Sequence, residues 1–396
     1  MTGSNLPVLD VRALPGTRES LAYMDGGLFP ILANAPGGAI VGIVRGGAGH
    51  LGLAGRVEAI RSADAGQSWT PPAVVADSEW DDRDYAFGAS PAGTLILAYH
   101  RTGCYDADGN YRPELYREQP GVYSEVRVTR SRDAGLTWSP PVPLDVPALR
   151  ASNPYGKIVA LADGTLILPI YGPPQASILG DRYGELDAAA SCSYLVRSHD
   201  DGVTWGDPAL ISMRTNETGM VALPDGELLA VVRGDAPDQR LSSTRSTDGG
   251  YTWSPPRALT AVGEFPADLV ALANGDLLLT HGNRNPPYRV EGRISKDGGR
   301  SWLDLLLTFS GSLYGYNVTA PRPTDLGYPS SVVQRSGGTG RGVTLYYYNP
   351  TLWQPGDWRG GEQGALFRQD NYRAIAITWD EAELIAAIAA HTAATR

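Results

Sequence analysis

Five segments of this chain repeat one pattern: RSADAGQSW (61–69), RSRDAGLTW (130–138), RSHDDGVTW (197–205), RSTDGGYTW (245–253) and ISKDGGRSW (294–302). The shared form is Ser-x-Asp-x-Gly-x-Ser/Thr-Trp, and the Trp residues lie about 50 to 70 positions apart. That is the length of one four-stranded propeller blade with a variable loop. The pattern suits a hairpin turn. Asp can bond backbone amides two residues on, Gly takes positive φ, and the Ser/Thr hydroxyl can satisfy another turn amide. The Trp is then free to pack between sheets. These five Asp residues are read as structural.

A second repeat runs out of phase with the first: APGGAIVGIV (35–44), PAGTLILAY (91–99), ADGTLILPI (162–170), PDGELLAVV (224–232) and ANGDLLLTH (273–281). Each is a turn followed by an alternating or wholly apolar strand, and each follows another apolar strand, as an inner hairpin would. Five blades are thereby marked. YPSSVVQ (328–334), VTLYYYN (343–349) and YRAIAITW (372–379) supply a sixth without the turn motif. The expected fold is all-β, a six-bladed β-propeller in one domain spanning 1–396. An N-terminal segment near VLDVRAL (8–14) is expected to close blade six, since closure removes open sheet edges. Residues 380–394 read as an amphipathic helix packed on the outside.

Composition narrows the function classes. A net charge of −10 with no Lys/Arg run argues against a nucleic-acid surface. No stretch is apolar for long enough to span a membrane. The start, MTGSNLPVLDVRALPG, has neither a basic nor an apolar leader region, so a cytoplasmic enzyme is expected, or a secreted one whose leader was removed. Cys104 and Cys192 show no metal spacing and read as ordinary buried thiols. There is no HExxH, P-loop or dinucleotide fingerprint, so neither a cofactor nor a catalytic metal is expected.

Repeated turns of this kind, known as Asp-boxes, on a six-bladed propeller resemble the sialidase (neuraminidase) superfamily, and the resemblance covers nearly the whole chain. NETGMVALPDGELLAVVR (216–233) is similar to the superfamily stretch that carries the catalytic Glu and the second Arg of a carboxylate-binding triad. These fall on Glu217 and Arg233. ADLVALANGDLLLTHGNR (267–284) is similar to the next blade's version, with the third Arg at Arg284 and Arg289 as its competitor. GYPSSVV (327–333) is similar to the strand bearing the nucleophilic Tyr, which falls on Tyr328. Blade one departs from the pattern. LFPIL (28–32) has Leu28 where the first triad Arg would stand, and RGGAGHLGLAGRVEAI (45–60) holds Arg45, His50 and Arg56 but no Asp where the acid/base Asp would lie. The resemblance implies a relative that keeps the Tyr–Glu half and binds a different sugar.

The chemistry is consistent with that reading. Tyr is a weak nucleophile at its ordinary pKa of about 10, and a neighbouring Glu can activate it. A Tyr nucleophile also suits an anomeric carbon that bears a carboxylate. Asp82 and Arg83, in WDDRDYAFG (80–88), are candidates for the missing acid and an anion grip. Asn153 and Asp268 sit at the corresponding starts of blades three and five, His50 can serve as an acid near neutral pH, and Arg45 or Arg83 can replace the lost Arg. Each has a bland alternative: a solvated carboxylate, a satisfied core Tyr, a structural ion pair, a solvent-facing His. The expected activity is exo-acting hydrolysis of a terminal, acidic sugar with a carbohydrate as the binding partner. The alternatives are another propeller exo-glycosidase, a polysaccharide lyase, or a carbohydrate-binding propeller without catalysis.

Overall fold

The computed structural model describes residues 6–119, 122–187, 190–313, 326–336, 339–349 and 372–394. They form six sheets arranged as the blades of a propeller, antiparallel except for two short parallel additions. The first strands are Leu28–Ala35, Asp81–Ala89, an interrupted strand from Asn153–Pro154 to Val159–Ala160, Thr215–Ala222, Glu264–Ala271 and Gly327–Ser336. Each first strand packs on that of the next blade, and the sixth meets the first. In blade three, Gly156–Lys157 swings out to pair in parallel with Ala86 and Phe87 of blade two.

Ring closure uses the N-terminal chain, but not the segment expected. Arg18–Met24 pairs with Arg373–Asp380 as the outer strand of blade six. Val8–Asp10 instead adds in parallel to Leu306–Thr308 at the outer edge of blade five. Residues 11–17, which begin with the 3₁₀ turn Val11–Ala13, carry the chain from one blade to the other.

The Asp-box turns differ from the expected bonding in one respect. In blade one the Asp64 carboxylate accepts from the amide and the hydroxyl of Ser68, four residues on, rather than two. The leading Ser62 hydroxyl takes the Gly66 amide and donates back to Asp64. The other four turns repeat this, and each motif Gly has positive φ.

The motif Trp residues mark the inter-blade cores. Trp69 packs on the cluster between blades six and one, Trp138 between one and two, Trp205 between two and three, Trp253 between three and four, and Trp302 between four and five. The five–six interface has no such Trp. There the fully buried Trp379 and one face of the helix Glu381–Ala394, through Leu384 and Ile388, fill the space. Glu381 ties that helix to the Ala273 amide and to Arg335. Cys104 and Cys192 are buried free thiols. Among the described residues no helix is long and apolar enough to cross a membrane.

Candidate active site

Antiparallel strands put the start of every first strand on one face of the ring and the Asp-box turns on the other. On the first face the strands begin irregularly. Register shifts fall between Leu28 and Ile31, Arg83 and Tyr85, Thr215 and Thr218, Glu264 and Ala267, and Gly327 and Ser330. A bulge of this kind re-aims the side chain it holds and is common beside active sites. Phe29, Asp84 and Tyr328 occupy such bulges with φ of 54°, 38° and 45°. Aromatic and acidic residues pay for that conformation in strain. Glu217 and Phe265 stand at the matching points of blades four and five, and Tyr155 lies between the pieces of blade three's first strand.

These positions converge. Tyr328 Oη donates to Glu217 Oε1 at 2.6 Å, and Arg233 Nη1 donates to Glu217 Oε2 at 2.7 Å. Arg233 Nη1 also reaches Tyr328 Oη at 3.4 Å. The Tyr328 ring is met edge-on by Phe29 at 4.9 Å and by Tyr155 at 5.6 Å. Burial pushes the Tyr328 hydroxyl well above the usual phenol range, the Glu217 charge pushes further, and Arg233 and Arg284 pull only partly back. Tyr328 therefore rests as a neutral donor.

Arg233 and Arg284 lie over the same Phe265 ring, at 3.8 and 4.6 Å, and Arg284 also lies 5.5 Å from the Tyr328 ring centre. Nε of Arg233, and Nε and Nη2 of Arg284, are buried without a hydrogen-bond partner among the described residues. Buried N–H groups are nearly always bonded, so this pair is left with donors to spare. Arg289 stands apart, in a separate charged cavity with Glu264, Glu291 and Arg293.

On the other side of Tyr328, a recess of about 40 Å³ has Phe29, His50, Arg83, Asp84, Tyr171 and Glu217 among its walls. It admits a reacting group or a few waters. His50 meets Phe29 edge-on at 4.8 Å. The acidic residue of blade two at this recess is Asp84, not Asp82. Burial raises the Asp84 carboxyl, but the charge of Arg83, the largest opposing influence, holds it below the usual range.

Of the remaining expected residues, Arg83 reaches the recess and most of the others are spent elsewhere. Asp82 is fully buried and accepts from the Ser78 amide at 2.6 Å; burial raises its pKa to about 6. Arg83 stays at the recess: it is paired with Asp84 and, at 4.0 Å, with Asp81, and its Nη1 is buried without a hydrogen-bond partner among the described residues. Arg45 is fully buried, bonded to Asp81, to the Asp82 carbonyl and to the loop carbonyls of Gly49 and Gly52, and so holds the 45–56 loop rather than a ligand. Asp268 is buried beneath the site, taking the Lys157 ammonium at 2.8 Å and the Ser331 amide at 2.6 Å, and so ties blades three, five and six. Arg56 pairs with Glu58. Asn153 lines a larger cavity beside the recess. Leu28, at the position of the lost Arg, is fully buried in the core, and Phe29 is the blade-one residue that faces Tyr328. Among the described residues no group of three or more His, Cys, Asp or Glu could hold a metal ion.

Sequence reasoning passed over Phe29, Phe265 and Asp84. A signal existed for the first two: LFP (28–30), EFP (264–266) and GYP (327–329) repeat an aromatic-Pro pair at the start of three first strands. Pro has no N–H to join the ladder, and in each case the register shifts there.

Residues 116–340, more than half of the chain, match the BNR repeat-like domain. Among solved structures, a protein of unknown function from Dyadobacter fermentans is similar over 93% of this chain and 100% of its own, at 20% identity and a TM-score of 0.67. The Hadza microbial sialidase Hz136 is similar over 90% of this chain and 65% of its own, at 17% identity and a TM-score of 0.61. The NanB sialidase of Streptococcus pneumoniae is similar over 91% and 69%, at 13% identity and a TM-score of 0.58. This chain thus spans about two thirds of the length of those two sialidases. At such identities the likeness is one of fold. No curated protein sequence matches the chain.

Proposed function

The chain belongs to the BNR repeat-like domain family, and on that footing we propose that it is an exo-acting glycoside hydrolase of the sialidase superfamily that releases a terminal acidic sugar. The observation that carries the reading is the Tyr328–Glu217 hydrogen bond of 2.6 Å, with the second Glu217 oxygen on Arg233. Tyr328 attacks the anomeric carbon while its proton passes to Glu217. Because the hydroxyl sits well above the phenol range, attack and proton transfer must be concerted, since a free phenolate in this pocket would be costly. The unpartnered donors of Arg233 and Arg284 suit a carboxylate on the same carbon. His50, at the recess beside the ionised Asp84, gives its proton to the departing oxygen; water then attacks the anomeric carbon, losing its proton to His50, while the Tyr328 oxygen leaves and recovers its proton from Glu217.

With Leu28 in place of the first arginine, Arg233 and Arg284 are the pair that meets that carboxylate among the described residues. A hydrogen bond to a charged group is worth about 1.5–3 kcal/mol, so turnover of an ordinary aryl sialoside should be low. The test is a screen of aryl glycosides that includes sialic acid, other keto-acid sugars and neutral furanosides. Aglycone release by the native protein, abolished in Tyr328→Phe and Glu217→Gln, is expected. Near-normal turnover in both variants would sink the mechanism. A product absorbing in the ultraviolet would indicate elimination in place of hydrolysis.

A further inference from the structure

Blade five carries a charged face that the Tyr328 site does not use. In its third strand, Arg289–Ser295, the period of two puts Arg289, Glu291 and Arg293 on one side. Asn283 lies across from Arg289, and Glu264 across from Asn283. These residues wall a cavity of about 320 Å³, at the lower end of the range for small-molecule sites. Val8, Pro286, Pro287 and Leu306 give it an apolar side.

The two acids and two bases of this cavity are not simply paired off. Arg293 Nη2 donates to Glu264 Oε2 at 3.3 Å, which leaves one charge of each sign over. Glu291 is only 3% exposed, and its side-chain hydrogen bond comes from the neutral Asn283 Nδ2, at 3.0 Å. Arg289 acts on Glu291 through charge alone, with no side-chain hydrogen bond or ion pair among the described residues. Burial and the Glu264 charge outweigh Asn283 and the two arginines, so the Glu291 carboxyl stands raised, at about 7. Once ionised, it has no cation in contact. Arg293 Nε is likewise buried without a hydrogen-bond partner among the described residues. A plain cation entering here meets two guanidinium groups, and a plain anion meets two carboxylates. A ligand that carries both charges satisfies both sets.

We propose that this cavity binds a small zwitterion, an α-amino acid with an apolar side chain. Its carboxylate lies on Arg289 and Arg293 Nε, its ammonium on Glu291, and its side chain against Val8, the two prolines and Leu306. Such a site is independent of whether Tyr328 cleaves a sugar.

Binding is measured by saturation-transfer NMR at pH 8, where Glu291 is ionised. Among leucine, valine, methionine and proline, at least one is expected to bind with Kd on the order of 1 mM. The amine and the acid that correspond to the tightest of them, each short of one charged group, should bind about tenfold more weakly, the loss of one hydrogen-bonded charge. Glu291→Gln and Arg289→Gln should each weaken the amino acid about tenfold, and Arg284→Gln should leave it unchanged. Should Glu291→Gln fail to fold, Arg289→Gln, at a half-buried position, decides. Absence of binding by all four amino acids, an amine or acid that binds as tightly as the parent, or binding indifferent to Arg289→Gln overturns the proposal, whatever the protein hydrolyses. Loss of binding in Arg284→Gln would put the carboxylate on the Arg233–Arg284 pair and overturn it as well.

Discussion

Tyr328 can be a nucleophile only through Glu217, because burial and that same carboxylate hold its proton tightly. Two kinetic outcomes follow for the proposed activity. Glu217→Gln and Tyr328→Phe should each lower kcat by a factor on the order of 10² or more, and the double variant should be little worse than either, as for residues acting as a unit. Arg233→Lys keeps the charge but loses the fork, so a KM raised about tenfold should dominate its defect. Steady-state kinetics on one substrate separates the two patterns; additive losses would mean that Tyr328 and Glu217 act independently.

A stability prediction stands apart from catalysis. Burial, opposed by Asn283 and aided by Glu264, raises the Glu291 carboxyl from its ordinary value to about 7. For a carboxyl raised on folding, the stability gained from holding its proton is complete below the unfolded pKa and is lost as pH climbs through about 7. Glu291→Gln should thus match the native protein near pH 4 and exceed it at pH 8, by on the order of 1–3 kcal/mol. Thermal melts at the two pH values check the sign.

What the sequence disclosed at this scale followed its periodic context. Glu217, Arg233, Arg284 and Tyr328 sit in segments whose repeat phase is legible, and the structure gathers all four at the channel mouth. Asp82 and Asp84 share a face in a regular strand, and only the bulge between Arg83 and Tyr85, invisible to a period-two reading, sends them to different places. Arg45 and Asp268 look like site residues because they are charged near the right strands; burial and pairing consume both.

At the scale of the element, the Asp-box is a cap for a hairpin. The Asp carboxylate takes an amide and a hydroxyl four residues on, the leading Ser takes the motif Gly amide, and two successive left-handed residues turn the chain. These bonds hold the Asp248 and Asp297 carboxyls down to about 2 against the cost of burial. For a depressed carboxyl the stabilisation is present above the unfolded pKa and fades as pH falls through about 2. Asp248→Ala should cost on the order of 1 kcal/mol near neutral pH, as the loss of a capping side chain does. It should not change kcat, because the turn lies on the face opposite Tyr328. A fall in Tm with unchanged kcat supports this division of labour, whereas loss of activity at full stability would contradict it. The periodicity of these turns made the five motif-bearing blades readable. The sixth is less so because Trp379 and the helix do there what a motif Trp does elsewhere.

At the scale of the whole molecule, the ring is closed by Arg18–Met24 on Arg373–Asp380, strands from opposite ends of the chain. Sequence patterning announced that the N-terminus closes the ring but chose 8–14, because VLDVRAL is the more apolar run. The true closing strand, RESLAYM, is mostly exposed, and its buried Ala22 and half-buried Tyr23 are all it lends to the core. Its value lies in backbone pairing: without it, Arg373–Asp380 becomes a bare edge. Tyr328 belongs to the same sheet, two strands inward, so opening the ring loosens the strand that carries it. Two truncations separate the N-terminal segments. Removing residues 1–10 deletes only the short parallel addition to blade five and should leave a folded protein with a modestly lower Tm. Removing residues 1–24 deletes the closing strand and should give aggregation, or a broad transition at much lower temperature, by size-exclusion chromatography and calorimetry. If the longer truncation melts like the native protein, closure of blade six is not what holds the ring together, and the packing of the blade-six first strand against blades one and five must suffice alone.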